Sequence, residues 1–198
     1  MHFEMNQMLF ETDGYRAIKL VRSDIPVIQT FLEKNPGYFL LAEGHPPTET
    51  QAAEEFESEL PEEWPFTEQI AIGFIDVSNE LTAYAFVISD LFAKDVWHLG
   101  LFIVSTEQHG QGVARHLYNA LEKWFKASGA KWVRLGVIDG NKRAERFWER
   151  NGYVEVRRLD DYVMDNATHT IRVMNKPLGE AGLSEYLSLV SRDRPDEY

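Results

Sequence analysis

A run of small residues lies between a predicted strand and a predicted helix. The strand covers Val96–Val104, the helix covers about 113–128, and Gly110, Gly112 and Ala114 lie at the junction. Small side chains let a ligand approach the backbone, and the first N–H groups of a helix have no partner within the helix. The turn therefore indicates either a pyrophosphate site or a tight connection that uses glycine for backbone geometry alone.

Two common nucleotide-binding loops do not match this turn. A Walker sequence requires Gly-Lys-Ser/Thr, and a dinucleotide fingerprint requires three glycines in GxGxxG spacing. The turn reads His-Gly-Gln-Gly-Val-Ala and contains neither pattern. Competition from ATP for this site is therefore not expected.

The remaining hydrophobic patterns alternate between helical and strand spacing. Strands are predicted at 15–21, 70–77, 81–89, 132–138, 153–162 and 168–174, and helices at 24–34, 49–60 and 142–150. The order is two helices, a β-meander and then a β-α-β-α-β-β half. This order predicts an α/β fold with a mixed central sheet. We expect one domain over 1–178, followed by a C-terminal tail over 179–198 with one or two helical turns.

Charge and cysteine content exclude several classes of function. The 198 residues carry a net charge of −12 and no cysteine, which excludes disulfides, thiolate metal sites and a cysteine-bound acyl group. Residues 1–65 hold 13 acidic against 4 basic side chains. This acidity disfavours nucleic acid and membrane partners and favours a cationic small substrate. The acidic N-terminus does not resemble a signal peptide, so we expect a cytoplasmic protein.

The glycine turn resembles motif A of the GNAT superfamily of N-acetyltransferases, whose pattern is Q/R-x-x-G-x-G/A. Gly112 and Ala114 match the small positions of this pattern. His109 stands where the family prefers Gln or Arg. This departure leaves the backbone groups that would bind the cofactor unchanged, but it removes one side-chain contact that is usual in the family.

A second segment resembles the family pattern N-x-x-A-x-x-[hydrophobic]-[Y/F/W]-x-x-x-G-[F/Y]. Its matching residues are Asn141, Ala144, Phe147, Trp148, Gly152 and Tyr153. The resemblance implies that Asn141 bonds the arm of the cofactor. An asparagine before a helix is also a typical N-cap, and Asn141 can serve both purposes.

The resemblance covers about Tyr15–Leu178, and the segment 35–56 also resembles a group of uncharacterised bacterial members of the superfamily. It implies a mostly antiparallel sheet flanked by helices, with a splay between the two central strands. It also implies acetyl-CoA as cosubstrate without a metal, and a small-molecule or peptide amine as acceptor; a homodimer is left open. The implied cofactor-binding residues are Phe102, Ile103, Val104, His109, Gly110, Gln111, Gly112, Val113, Ala114, Asn141 and Phe147.

His98 is the candidate general base. It lies six residues before Val104, where some family members have a glutamate that acts as the general base. Strand alternation predicts that His98 shares a face with Gly100, Phe102 and Val104. The alternative is a hydrogen-bonded histidine within the sheet. In the family, a tyrosine in the second motif often protonates the leaving thiolate. Trp148 stands at that position, and its indole N–H is not a useful acid. Tyr153, Tyr118 or solvent are left as sources of the proton.

Tyr38 and Trp97 are candidate residues of an acceptor pocket, with the hydrophobic core as the alternative. Glu54, Glu55, Glu57 and Glu59 are interpreted as a solvated helix face that can still bias the charge of the substrate. The predicted function is acetyl transfer from acetyl-CoA to a primary amine. The alternative is a non-catalytic acyl-CoA-binding regulatory module. The identity of the amine is left open.

Overall fold

The computed structural model describes residues 8–195, in which eight strands form one sheet. The strands are β1 Met8–Thr12, β2 Tyr15–Lys19, β3 Glu68–Asp76, β4 Leu81–Ser89, β5 Val96–Val104, β6 Trp132–Ile138, β7 Val154–Met164 and β8 Ala167–Pro177. The helices are α1 Ile25–Lys34, α2 Gly37–Ala42, α3 Gln51–Glu57, α4 Val113–Ala127, α5 Lys142–Arg150 and α6 Leu183–Leu189. None of the helices within these residues has the length and apolar character needed to cross a bilayer.

The central strands β5 and β6 are the parallel pair of the sheet. The strand order is β1-β2-β3-β4-β5-β6-β8-β7, and the other neighbours are antiparallel. Pairing between β5 and β6 runs only from Val96↔Trp132 to His98↔Arg134. Beyond this point β5 continues beside β4 to Val104, and β6 continues beside β8 to Ile138. The predicted α/β fold with a mostly antiparallel sheet is confirmed, and the two central strands splay apart beyond His98.

A β-bulge in β5 reverses the alternation of its side chains. Phe86 pairs with Leu101 and Val87 with Leu99, so Gly100 is left without a partner on β4. Leu99 and Phe102 consequently pack beneath α4, whereas Leu101 packs on the opposite face, with α1. His98, opposite Ile88 on β4, lies on the α1 face as well. The predicted shared face of His98, Phe102 and Val104 is therefore wrong, because the bulge shifts the period by one residue.

Helices cover the two faces of the sheet with separate apolar clusters. The amphipathic helix α4 buries Leu117, Leu121 and Phe125 against one face. Helices α1, α2 and α3 bury Phe31, Phe39 and Ala52, among others, against the opposite face. Apolar burial of this kind stabilises the fold by about 25 cal/mol for each Å² removed from water. Because the helices are held against the sheet in this way, the packing also determines where the chain leaves β5 and β6.

Several elements differ from the predicted ones. The sequence patterns did not predict β1 or α2, because each is only five or six residues long. Helix α3 ends at Glu57, three residues before its predicted end. Strands β7 and β8 extend to a turn at Asp165, which has a left-handed φ of 49°. Exposed residues predominate in the second half of β7, so strand alternation was weak there.

The segment that follows Leu178 packs against the sheet. Tyr186 and Val190 are buried beside Val96 and Trp132. The Trp132 indole N–H donates to the carbonyl of Gly182 at 3.0 Å. Helix α6 and the residues after it therefore cover the end of β5 and β6 where these strands are paired.

A buried ion pair fastens this C-terminal segment. Arg134 donates to Asp193 through Nε at 2.6 Å and through Nη2 at 3.0 Å, and the two side chains are only 11% and 2% exposed. The hydroxyl of Tyr186 donates to the same carboxylate. Burial opposes ionisation of Asp193, but the bonds to Arg134 outweigh it and hold the pKa of Asp193 below its usual range.

We expect Asp193→Ala to lower the free energy of unfolding by about 3–5 kcal/mol, because it leaves the Arg134 guanidinium buried without a partner. Urea unfolding at neutral pH measures the loss, and Glu185→Ala on the exposed side of α6 is the control. Because the folded pKa of Asp193 lies below the unfolded one, its contribution is complete above the unfolded pKa and is lost as pH falls through the folded pKa. Equal stability of the two variants would show that the segment is not fastened by this pair.

Candidate functional site

The glycine turn after β5 adopts a conformation that requires glycine. Gly110 has φ +80° and Gly112 has φ +82°, both in the left-handed region. A Cβ added at either position would meet no atom within 4 Å. The glycines therefore satisfy the backbone geometry and also border open space. The geometric interpretation of the turn is confirmed, and the pyrophosphate site stays a prediction for which the open side leaves room.

The N-terminus of α4 points out of this turn. Gly112 is the N-cap, and the first intrahelical bond joins the N–H of His116 to its carbonyl at 3.1 Å. The N–H groups of residues 113–115 precede that bond and have no acceptor within the helix. No acidic side chain lies in the first turn of this 15-residue helix. The positive end of its dipole is therefore available to an anion.

His109 joins this turn to α5. Its Nε2–H donates to the Val104 carbonyl at 3.0 Å, and Arg143 donates to its Nδ1 at 2.8 Å. Burial and then the Arg143 charge lower the pKa of His109, with the bond to Val104 acting against them. The imidazole is neutral in this arrangement. His109, at the position where the family prefers Gln or Arg, thus brings the guanidinium of Arg143 to the edge of the glycine turn.

Asn141 follows the end of β6 and caps α5. Its Oδ1 accepts from the Ala144 N–H at 3.1 Å, so the predicted N-cap role is confirmed. Its side-chain NH₂ has no hydrogen-bond partner within residues 8–195. Because β5 and β6 are parallel, their carboxyl ends, and the N-termini of α4 and α5, open at one edge of the sheet. The structure therefore brings Asn141 and the glycine turn together.

Aromatic side chains line the splay between β5 and α5. Phe102 packs on Phe147 with ring centroids 6.3 Å apart and on Trp148 at 6.1 Å. Ile103 points to the opposite face of the sheet, and Val104 is buried beneath α4. Beyond His98 the backbone of β5 has no ladder partner on β6 in the described chain. These groups fit the predicted contact with a cofactor arm through backbone atoms.

Two buried tyrosines adjoin Trp148. Its ring lies 5.2 Å from that of Tyr118 and 5.3 Å from that of Tyr153. The Tyr118 hydroxyl donates to the Tyr153 hydroxyl at 2.8 Å. Burial, first of all, raises the pKa of both phenols. Both are protonated at physiological pH, and neither gains acidity from its surroundings.

The surroundings of His98 do not favour a general base. Its Nδ1 lies 3.4 Å from Nη1 of Arg134, which donates to it. Burial, followed by the Arg134 charge, lowers the pKa of His98 to about 3. The ring is therefore neutral at physiological pH and is a poor acceptor for the proton of an ammonium with a pKa near 10. The geometry fits the alternative of a hydrogen-bonded sheet histidine.

Trp97 and Tyr38 occupy different environments. Trp97 is buried beneath α4, with its ring 5.4 Å from Trp124 and 5.5 Å from Phe125. This corrects its assignment to an acceptor pocket, because the side chain is part of the core. Tyr38 on α2 packs against the cluster that holds Ile103 and also against the one that holds Ile138. Tyr38 therefore lies on the sheet face opposite α4, between these two clusters.

A polar cluster beside Tyr38 was not predicted. The buried Gln51 amide approaches Glu43 at 3.5 Å and Glu55 at 3.4 Å. Burial is the main cause that raises the pKa of both carboxyl groups. The Tyr84 hydroxyl is buried near Glu55 without a hydrogen-bond partner in the described residues. Glu55 is half-buried, so its interpretation as part of a solvated face is wrong; α3 is too short for a clear pattern.

Between residues 8 and 195, no three His, Cys, Asp or Glu side chains are grouped so as to hold a metal ion.

Residues 29–153 match the model of the Acetyltransferase (GNAT) family. No curated protein is significantly similar in sequence.

Solved structures share the fold at low sequence identity. Spermidine N-acetyltransferase from Vibrio cholerae, in complex with CoA and spermine, has a TM-score of 0.64 and 18% identity, covering 84% of this chain and 96% of its own. The ribosomal-protein-S18-alanine N-acetyltransferase from Escherichia coli has a TM-score of 0.61 and 18% identity, covering 85% and 97%. The ribosomal-protein-S5-alanine acetyltransferase from Vibrio fischeri has a TM-score of 0.64 and 16% identity, covering 86% and 97%.

The family match spans more than half of the chain, and the splayed sheet with its glycine turn has the geometry expected of that family. The chain therefore belongs to the GNAT family of acetyltransferases and is an acyltransferase.

Proposed function

We propose that the chain transfers an acetyl group from acetyl-CoA directly to a primary amine. The observation that carries this proposal is the shared edge at which the glycine turn and the free amide of Asn141 open beside the splay. One side of that edge is suited to an anionic pyrophosphate. On the opposite face of the sheet, Tyr38 lies near the carboxyl groups of Glu43 and Glu55.

The residues at the edge fit CoA. The left-handed glycines leave open space where a Cβ would stand, and the first turn of α4 carries no acidic side chain. The Arg143 guanidinium adds a positive charge at 2.8 Å from His109. Gly112, residues 113–115 and Arg143 would hold the pyrophosphate, and Asn141 would bond the pantetheine arm. When bound, acetyl-CoA supplies a thioester-activated acetyl group.

Direct transfer follows from the residues that the chain contains. There is no cysteine to carry the acyl group. The amine nitrogen must be neutral and held close to the carbonyl carbon; the C–N bond forms, the C–S bond breaks, and the amine releases one proton. Residues of the splay would exclude water and orient the two reactants. Two of the similar structures are named for a polyamine and for an alanine of a ribosomal protein, which supports an amine acceptor.

A second candidate function is a non-catalytic module that binds acyl-CoA and regulates a partner. It is favoured by Trp148 at the family's tyrosine position and by the low basicity of His98. Release of free thiol from acetyl-CoA, measured against a panel of primary amines, separates the two functions. Amine-dependent release supports the transferase, and tight CoA binding without release supports the module.

We expect Gly112→Glu to weaken CoA binding by about 100-fold or more, because a carboxylate would then stand against the pyrophosphate at short range. Gly129→Glu is a matched control: Gly129 follows α4, has φ +97° and also borders open space. Both variants carry a similar backbone strain of about 1–2 kcal/mol. Calorimetry with CoA should find near wild-type affinity in the control. Equal CoA affinity in the two variants would show that the glycine turn does not bind the pyrophosphate.

For Asn141, a pair of variants separates the cap from the ligand contact. Asn141→Ser keeps a capping oxygen but loses the free NH₂, so it should retain the stability of α5 and lose about 1–2 kcal/mol of acetyl-CoA affinity. Asn141→Ala should lose both. Thermal unfolding and calorimetry provide the two readouts. Wild-type affinity in the serine variant would leave Asn141 with the cap role alone.

We expect His98→Gln to keep kcat close to the wild-type value, because glutamine can still accept from Arg134. The kcat/KM profile of the wild type should show no acid limb near 6.5 that belongs to His98, since its pKa is lowered to about 3. Steady-state rates between pH 5 and 9 measure this. A loss of about 100-fold or more, with disappearance of such a limb, would restore His98 as the base.

A further inference from the structure

The side chains Tyr38, Glu43, Glu55 and Tyr84, here called the acidic cluster, lie on the face of the splay opposite α4. Tyr38 packs against the apolar cluster that contains Ile103 of β5 and against the one that contains Ile138 of β6, and Tyr84 stands opposite Ile103 in the β4–β5 pair. The glycine turn and Phe102 belong to the other face. A molecule bound at the acidic cluster would therefore reach the splay from the side that the proposed cofactor site leaves free.

The carboxylates of the acidic cluster lack a strong cationic partner. Two other shielded carboxylates of the described chain are paired with cations: Glu122 with Lys126 and Lys176, and Glu145 with Lys142 and Arg172. Glu55 forms no ion pair with a Lys or Arg within residues 8–195 and meets only the neutral Gln51 amide. Glu43 is 14% exposed and has a histidine, His45, at 3.9 Å. Shielded carboxylates without a cation are unfavourable and are normally compensated.

The Tyr84 hydroxyl provides an independent observation. The side chain is fully buried, and its oxygen has no hydrogen-bond partner in the described part of the chain. Burial, followed by the charge of Glu55, raises the pKa of this hydroxyl. A buried polar atom without a partner costs about 1–3 kcal/mol and is rare in native proteins. An orphan hydroxyl that faces an uncompensated carboxylate indicates a missing polar ligand between them.

We propose that the acidic cluster binds the acetyl acceptor as an aliphatic amine with two positive charges. This inference rests on the proposed acetyl transfer and names its substrate class. Glu55 and the Tyr84 hydroxyl oxygen accept hydrogen bonds from an ammonium group. Glu43, which shares the Gln51 amide with Glu55, supplies the charge for a second ammonium. Tyr38 packs along the hydrocarbon chain between the two charges.

Calorimetry on the protein saturated with CoA tests this directly, with 1,4-diaminobutane and butylamine as probes. The two probes share the four-carbon chain and differ in one charge. We expect the diamine to bind more tightly and Glu55→Gln to weaken it by about tenfold or more. Glu54→Gln is the control, since Glu54 precedes Glu55 on α3, is exposed and bonds only Thr50. Equal diamine affinity in these two variants would overturn the inference.

Tyr84→Phe separates a ligand contact from a structural one. Because the hydroxyl has no partner in the free protein, its removal should not lower the melting temperature without amine, yet it should weaken diamine binding severalfold. A lowered melting temperature with unchanged diamine affinity would mean that a buried water links Tyr84 to Glu55, and would overturn the inference. This variant folds with the same buried volume except for one oxygen.

The same proteins distinguish this inference from the proposed function. If Glu55→Gln does not change acetyl transfer to butylamine or to other amines, the chain is a transferase but the acidic cluster does not bind its acceptor. Diamine binding that is lost in Glu55→Gln, without thiol release for any amine, would support the cation site and overturn the transferase function.

Discussion

The separation of β5 from β6 is the constraint on which the rest of the structure depends. The two strands pair over three residues and then follow different neighbours, β4 and β8. Backbone groups along the resulting gap lack ladder partners, which is unfavourable unless water or a ligand satisfies them. The gap stays open because both outer ladders continue and because the bulge at Gly100 bends β5. At the closed end, the Arg134–Asp193 pair fastens the C-terminal segment over the point where the strands meet.

The parallel direction of β5 and β6 gives the gap a polarity. Both strands end at one edge, so the N-termini of α4 and α5 open there, and the bond between His109 and Arg143 joins them. That edge presents unpaired N–H groups and a guanidinium. Glu43 and Glu55, which share the Gln51 amide, belong to the end of α2 and to α3, the helices that cover the opposite face of the sheet. An anionic and a cationic reactant would thus be drawn to different sides of one opening and would meet within it.

Much of this architecture could be predicted from residue patterns. Strands β4, β5 and β6 and helix α5 have the predicted bounds, because each combines a clear period with a turn signal at both ends. The glycine turn was recognisable because only glycine adopts φ near +80° without strain. The side of the sheet on which His98 lies was not predictable, since it depends on the register between β4 and β5. Trp97 and Glu55 were misplaced for a related reason: burial depends on what packs above a residue, and their neighbours are distant in sequence.

In the proposed acetyl transfer, this chain would contribute mainly by positioning the two reactants, because its candidate acids and bases are poorly suited to transfer a proton. His98 is neutral and weakly basic, and the two buried phenols hold their protons. A diamine bound at the acidic cluster would resolve the need for a neutral nucleophile in another way. Its ammonium beside Glu55 would stay charged, because opposite charge favours the protonated form. Its second ammonium, recognised by Glu43, would have to leave that carboxylate to enter the gap lined by Phe102 and Phe147, where burial disfavours charge and lowers the pKa of the amine. The charge that stays beside Glu55 repels a second proton, so the nitrogen that leaves Glu43 would reach the splay in its neutral form.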